Sequence, residues 1–288
     1  MSFVKNRHMK YLAFTTFILS AIFGYSQQIT YQVLEDNPDN AFTKFVAPEW
    51  GAESNTTNLS IFVGANARLG LTDIITLEGI ARIDAYQLNG KGIGFLLEAG
   101  GFMPLKTKIK QKEVPIILSY NPYAGTEYKD GKKYNIEETK SITIPQGQFK
   151  NQLGVRGGIH NRSTSIFDNG FGGNIFLSGV YLGGQWTSQA FVKTKINNDV
   201  ERIGAGFTRI YGDLLVLPVS TPDAAANTGD VKSDGILGWR LGYQWYVSPH
   251  NGDYKFLANS VFSAEIGHRP LSGFLFNVSW GFAFLNSK

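Results

Sequence analysis

The chain contains no cysteine. That absence excludes structural disulfides, thiolate-held zinc, iron–sulfur clusters, a thiol nucleophile and a lipid-modified N-terminal cysteine. Charge is scarce as well: only 17% of the 288 residues are Asp, Glu, Lys or Arg. The net charge is +4, but Lys5, Arg7 and Lys10 crowd the start, and setting them aside leaves about +1 for the remainder. A nucleic-acid-binding domain, which needs a basic face for phosphates, is therefore disfavoured. After the first 26 residues no uninterrupted apolar run reaches the ~18 residues of a spanning helix. What is plentiful is glycine (33) and aromatic residues (21 Phe, 13 Tyr, 5 Trp), a composition unlike a helical bundle and suited to a folded β-rich protein.

Residues 1–26 join the basic stretch to the apolar run 11–23 and end in Gly24-Tyr25-Ser26, with small residues at the −3 and −1 positions. This is the pattern of a secretory signal peptide. The expected organisation is a signal peptide over 1–26, an N-terminal segment over 27–58 able to hold a first strand, and a β-barrel over 59–288.

The body alternates with a period of two. In 59–70, Leu59, Ile61, Val63, Ala65, Ala67 and Leu69 share one parity, with Arg68 on the other. In 237–247 the apolar parity holds Trp239, Tyr243 and Trp245, opposite Arg240 and Gln244. In 274–285 it holds Phe274, Phe276, Trp280, Phe282 and Phe284. Residues two apart share a strand face, so these are strands with one greasy side. The less apolar face carries Gly, Ser, Asn and Ala with scattered charges, whereas a soluble sandwich turns long charged or Thr-rich side chains outward. Small and polar inside with aromatic and aliphatic outside fits a barrel surrounded by lipid. On this reading Trp239, Tyr243, Trp245, Phe274, Phe276, Trp280, Phe282 and Phe284 face lipid, and Arg68, Glu78, Arg82, Asp84, Glu98, Lys150, Arg156, Arg202, Arg240 and Glu265 form a lumen charge network. In 202–211 the pattern puts Ile203, Ala205 and Phe207 outward, opposite Arg202. A charge facing lipid near the midplane costs about 2–4 kcal/mol, and most strand charges avoid that parity.

The fold class is thus all-β, a transmembrane antiparallel up-and-down β-barrel of about 12 strands, with 10 to 14 compatible. Strands are expected near 59–70, 74–86, 92–103, 112–120, 148–160, 173–182, 185–196, 201–211, 236–247, 255–267 and 274–285. Residues 29–35 are favoured over 136–144 as the twelfth, because 136–144 would leave the polar stretch 121–134 as a long loop on the short-turn side. Residues 197–199 and 248–253 read as short turns, and 212–233 as a long external loop.

The leader ending in Tyr-Ser before Gln27-Gln28, the Gly- and aromatic-rich alternation and the final Phe- and Trp-rich strand together resemble outer-membrane β-barrel proteins of the Bacteroidota. The resemblance covers the whole mature chain and implies residence in the cell outer membrane. Asn121-Pro122-Tyr123-Ala124-Gly125 is similar to the Asn-Pro-Ala-x-Ala-Gly motif of barrels attached to type IX secretion and gliding machinery. There the motif lies near the mature N-terminus; here it is mid-chain with Tyr at the third position, and Asn-Pro and Ala-Gly are ordinary loop residues.

Catalytic and metal signals are sparse. His8, His160, His250 and His268 complete the histidines, and neither His160 nor His268 has the serine partner on one face that a phospholipase-type barrel needs. They read as interfacial histidines at strand ends. The Gly90–Gly94 stretch opens no helix and is not a phosphate cradle. No catalytic residues, metal ligands or cofactor are assigned. The expected role is a structural or partner-binding envelope component, secretion-associated in the finer version, with lipid and other envelope proteins as partners. A narrow porin-like channel for small solutes, anion-preferring through its inner Arg excess, is the alternative; an outer-membrane hydrolase ranks below both. N-terminal sequencing of the exported protein should begin at Gln27; a mature chain that keeps Met1 would contradict the leader.

Overall fold

The computed structural model describes residues 29–40, 44–56, 58–72, 74–88, 92–168, 171–197, 200–222, 235–246 and 259–285. The leader, His250, the 248–253 turn and the 223–234 part of the long loop lie outside these residues. Twelve strands run along the described chain: β1 (Tyr31–Asp36), β2 (Lys44–Asn55), β3 (Leu59–Thr72), β4 (Ile75–Gln87), β5 (Phe95–Lys129), β6 (Lys132–Asp168), β7 (Phe171–Ile196), β8 (Val200–Pro222), β9 (Leu237–Tyr246), β10 (Ser260–Arg269), β11 (Gly273–Phe282) and β12 (Phe284–Leu285). Strands β2 to β11 pair antiparallel in chain order, and β11 pairs back onto β2 through Trp280↔Trp50, closing a ten-stranded barrel. β12 prolongs β11 along β2. β1 lies outside the ring and joins β7 where β6 leaves it, beyond Phe149↔Ala190.

The wall is inside-out relative to a water-soluble protein. Val63, Ile83, Leu97, Leu153, Leu182, Leu214 and Leu241 are 47–68% exposed on the exterior, while arginines and carboxylates are buried within. Water outside would oppose so large an apolar surface, whereas lipid favours it. Part of the exterior is a belt of rings. Trp245, Phe262, Trp280 and Trp50 are directly paired across β9, β10, β11 and β2. Their centroids are 6.2, 5.9 and 4.9 Å apart in that order.

Two strands greatly exceed the ~10 residues a crossing requires: β5 has 35 and β6 has 37. Pairing of β4 with β5 stops at Phe102, and β6 leaves β7 past Phe149, so the rest continues as a two-stranded ribbon. Its turn is Asp130-Gly131, with φ of 51° and 72°. Positive φ at both centres is the primed turn whose twist matches a hairpin. The ribbon projects from the end that carries the start of β2 and the end of β11, called the near end. It leans over the outside of β7 and β8, where Val114, Ile116 and Ile144 cover Val192. Gly204 permits the contact, since a Cβ there would stand 3.0 Å from Ile116 and 3.1 Å from Val114.

Several boundaries differ from the sequence reading. The wall begins at Lys44 rather than at residue 59, because β2 is a full wall strand. The segments 92–103 and 112–120 are one strand, as are 136–144 with 148–160 and 173–182 with 185–196. Residues 212–222 are strand, so the long loop starts after Pro222. The parity of β8 is reversed: Ala205 and Phe207 are buried inside at 9% and 2%, while Ile210 and Leu214 face out. The reason is that β8 enters through an apolar layer of the lumen, where "apolar" does not mean "outward".

On this architecture Leu97→Arg should cost about 2–4 kcal/mol in urea-titrated refolding into lipid vesicles. Thr126→Arg on the exposed ribbon should stay within about 0.5 kcal/mol. Equal effects at the two positions would contradict the lipid-facing wall.

Candidate functional site

The lumen is filled by two apolar clusters and a set of buried charges. At the near end Phe45, Ala47, Ala205, Phe207, Tyr246, Val261 and Ala283 form an apolar plug, with Phe191 and Ile203 packed against it. At the far end Ile175, Leu177, Tyr181, Leu215 and Leu217 cluster with Leu271. The buried charges are Arg68, Arg82, Arg156, Arg162, Arg209, Arg240 and Arg269, against Glu49, Glu53, Glu78, Asp84, Glu98, Asp213 and Glu265, with Arg162 level with Leu177 of the far cluster. Seven cations face seven anions and every cation is Arg, the residue whose planar fork suits buried multivalent pairing.

Most of the pairs join into one network. Arg240 of β9 reaches Asp213 at 2.7 Å, Glu98 at 2.5 Å and Glu265 at 3.6 Å. His160 shares Glu98 at 2.5 Å. Glu265 accepts a hydrogen bond from the Tyr211 hydroxyl at 2.8 Å. Arg156 sits 3.6 Å from Asp213 and 3.8 Å from Glu78. Glu78 also receives Arg209 at 2.9 Å and the Gln185 amide at 3.0 Å. On the other side, Glu53 receives both Arg162 and Arg269 at 2.8 Å. Arg162 forks onto both oxygens of Asp84 at 3.1 and 2.9 Å. Arg269, 3.7 Å from Glu265, links this group to the first. Arg82 pairs with Glu49 at 2.6 Å, and Ser279 donates to the same carboxylate at 3.0 Å.

Aromatic faces complete the coordination. Arg156 lies 4.1 Å from the Tyr211 ring centroid, Arg240 lies 4.9 Å from that of Tyr181, and Arg82 lies 4.5 Å from that of Phe62. Arg68 sits 4.6 Å over Phe207, where the charged layer meets the plug. Small inward residues make the room: a Cβ at Gly242 would strike the Tyr211 ring. All ten wall strands supply a member, with β7 represented by Gln185 and β11 by Ser279.

Of the residues assigned to the lumen from sequence, Arg68, Glu78, Arg82, Asp84, Glu98, Arg156, Arg240 and Glu265 are buried inside and brought together. Lys150 and Arg202 lie elsewhere. Lys150 pairs with Asp39 of the Pro38–Asn40 turn at 2.5 Å, at the near mouth. Arg202 donates to the Leu118 carbonyl of the ribbon at 3.4 Å, a consequence of the reversed β8 parity. Glu49, Glu53, Arg162, Arg209, Asp213 and Arg269 were not foreseen. Arg162 and Arg269 continue the inward parity of Arg156 and Glu265, so extending those strands would have reached them. His160 is a 0%-exposed lumen residue rather than an interfacial one, whereas His268 keeps its outward row. The inner Arg excess read from sequence also disappears, because Lys150 and Arg202 lie outside the network and the unforeseen members are three acids and three arginines.

Trp239, Tyr243, Trp245, Phe274, Phe276 and Phe284 stand on the exterior at 41–68% exposure. Trp280 and Phe282 share that face but are half-buried in the ring belt, 5.3 Å apart.

Chemically, the arrangement neutralises itself. Arg162 and Arg240 are each 1% exposed, so a solute has no open route to them. Among the described residues no group of three or more His, Asp or Glu is placed to hold a metal.

No family model matches the chain, and no curated protein matches it. Among solved structures, a mutant of the Rh. blastica porin is 6% identical over 89% of this chain and 100% of that one, with a TM-score of 0.20. OmpT, an outer membrane protein of Vibrio cholerae, is 11% identical in its in-vitro folded trimer form, over 89% and 99% of the two chains, with a TM-score of 0.19. Similarity at this level does not bear on the architecture, which rests on the strand pairings alone.

Removing one partner of a buried pair leaves an uncompensated charge. Glu78→Gln should therefore cost about 3–5 kcal/mol, and Arg209→Gln a comparable amount. The double variant should cost at least ~1 kcal/mol less than the two singles together. Additive losses in vesicle unfolding titrations would mean that the pair does not form.

Proposed function

We propose that this chain is an exported, integral outer-membrane barrel with a closed lumen, acting as a structural and partner-binding component of the cell envelope rather than as a pore or an enzyme. The observation that carries the reading is the filled lumen: a charge layer balanced seven against seven, with an apolar cluster at each end. Ten strands leave an interior that side chains can fill, whereas aqueous channels belong to barrels of about sixteen. Buried, ion-paired carboxylates and histidine offer no approach for a substrate, which argues against hydrolysis.

The near mouth is covered again from outside. Asp36 accepts the Gln148 amide at 2.9 Å, and Gln189 donates to the Pro38 carbonyl at 3.1 Å, tying residues 36–38 across it. An even number of wall strands keeps both barrel termini on that end. A chain delivered from the periplasm most simply leaves them there, so the ribbon faces the periplasm. Its tip exposes Tyr123 at 77% and Tyr128 at 73%, aromatic residues of the type enriched at protein interfaces. The finer version, attachment to a secretion assembly, finds its support in the position of Asn121–Gly125 on this ribbon, at an irregularity in the β5–β6 pairing.

Two measurements test the proposal together. Purified protein in planar bilayers should show no conductance steps, and photo-crosslinkers placed at Tyr123 and Tyr128 in cells should give a discrete protein adduct. Steady single-channel conductance from the lone protein would overturn the closed-lumen reading.

A further inference from the structure

The ribbon stem carries an unabsorbed feature. Lys106, Lys108, Lys110 and Lys112 occur at every second position of β5, and all four are exposed. Lys106, Lys108 and Lys110 pair across with Leu153, Asn151 and Phe149 of β6. Leu153 is 54% exposed on the outward face, so cross-strand parity puts the lysines on the side of the sheet that faces lipid lower down. Immediately before them come Met103 and Leu105, exposed at 46% and 68%. A pairing irregularity between Pro104 and Lys106 sets the change from apolar wall to basic row.

The row lacks counter-charges. Its partners on β6 are uncharged, Glu113 has the opposite parity, and among the described residues no ion pair involves any of the four. This contrasts with the lumen, where each acid faces an Arg.

We propose that Lys106, Lys108, Lys110 and Lys112 bind the anionic phospholipid headgroups of the leaflet at the near end, fixing the height and lean of the ribbon on the membrane surface. The inference rests on the membrane-barrel reading above. Its chemistry is that of a basic segment next to a membrane span, where each Lys near an anionic surface gains about 1 kcal/mol and the attraction fades with salt. The lean of the ribbon over β7 and β8 keeps the row near the wall instead of standing it upright in the aqueous phase.

The test is amine-reactive labelling of the whole protein in two kinds of vesicle, phosphatidylcholine alone and phosphatidylcholine with phosphatidylglycerol, read by mass spectrometry. Rates at the four lysines are divided by those at Lys129, Lys132 and Lys133 of the ribbon tip, which share the same compartment. The anionic vesicles should slow labelling about fivefold at each of the four, and raised salt should abolish the difference. If the lysines serve only to keep an open strand edge from pairing with other chains, the ratio will not depend on lipid charge, and the proposal fails. Equal slowing by inorganic phosphate in neutral vesicles would make the row a general anion site and also overturn it. Heat-modifiable gel migration, checked in both vesicles, separates the two levels: without it the membrane barrel itself is wrong, and with it a negative labelling result counts against the lysine row alone.

Discussion

The structure depends on one constraint: fourteen buried charges inside a small barrel must all find partners at once. Several pairs bridge strands far apart in sequence, as with Glu53 and Arg269 or Glu98 and Arg240. A pairing slip of one residue would turn an entire row of a strand to the opposite side. It would place Arg against lipid and leucine in the lumen, and break pairs on neighbouring strands as well. A buried pair adds little over an apolar substitute, so the network is better understood as fixing register than as supplying net stability. The double-variant cycle at Glu78 and Arg209 measures the coupling that this role requires.

The same constraint explains the asymmetry of the molecule. The lumen is filled by side chains, and at the near end the strap of residues 36–40 crosses the mouth while the ribbon leans over the outside of β7 and β8. A two-stranded ribbon is marginal on its own in water. It is held here by Val114, Ile116 and Ile144 against Val192, and its open edge on β5 carries Pro104 and Pro115, which cannot donate to another strand.

Much of the fold was legible because lipid imposes an outward apolar parity on every wall strand. β3, β4, β9, β10 and β11 kept the parity read from sequence, since most of their inward positions are small, polar or charged and their outward ones mostly apolar. Legibility ended where the lumen is itself apolar. Ala205 and Phe207 belong to the plug, and assigning them outward reversed β8 and hid Arg209 and Asp213. β2 escaped notice because Glu49 and Glu53 occupy its inner row while Pro48 interrupts its outer one. The ribbon had a local signal in Asp130-Gly131 between alternating residues, but its length gave no reason to expect a hairpin extending beyond the wall.

The native absence of cysteine makes the central claim directly measurable. Single cysteines placed in the lumen (Asn277→Cys), on the exterior wall (Ile83→Cys) and on the ribbon (Thr126→Cys) can be exposed to a membrane-impermeant maleimide after reconstitution into bilayers. Asn277 is 1% exposed and Ile83 56% exposed in the protein alone. A sealed, lipid-embedded barrel predicts rapid labelling at 126 and protection at both 277 and 83. Labelling at 277 as fast as at 126 would mean a water-filled lumen, and labelling at 83 would mean that the apolar exterior does not meet lipid.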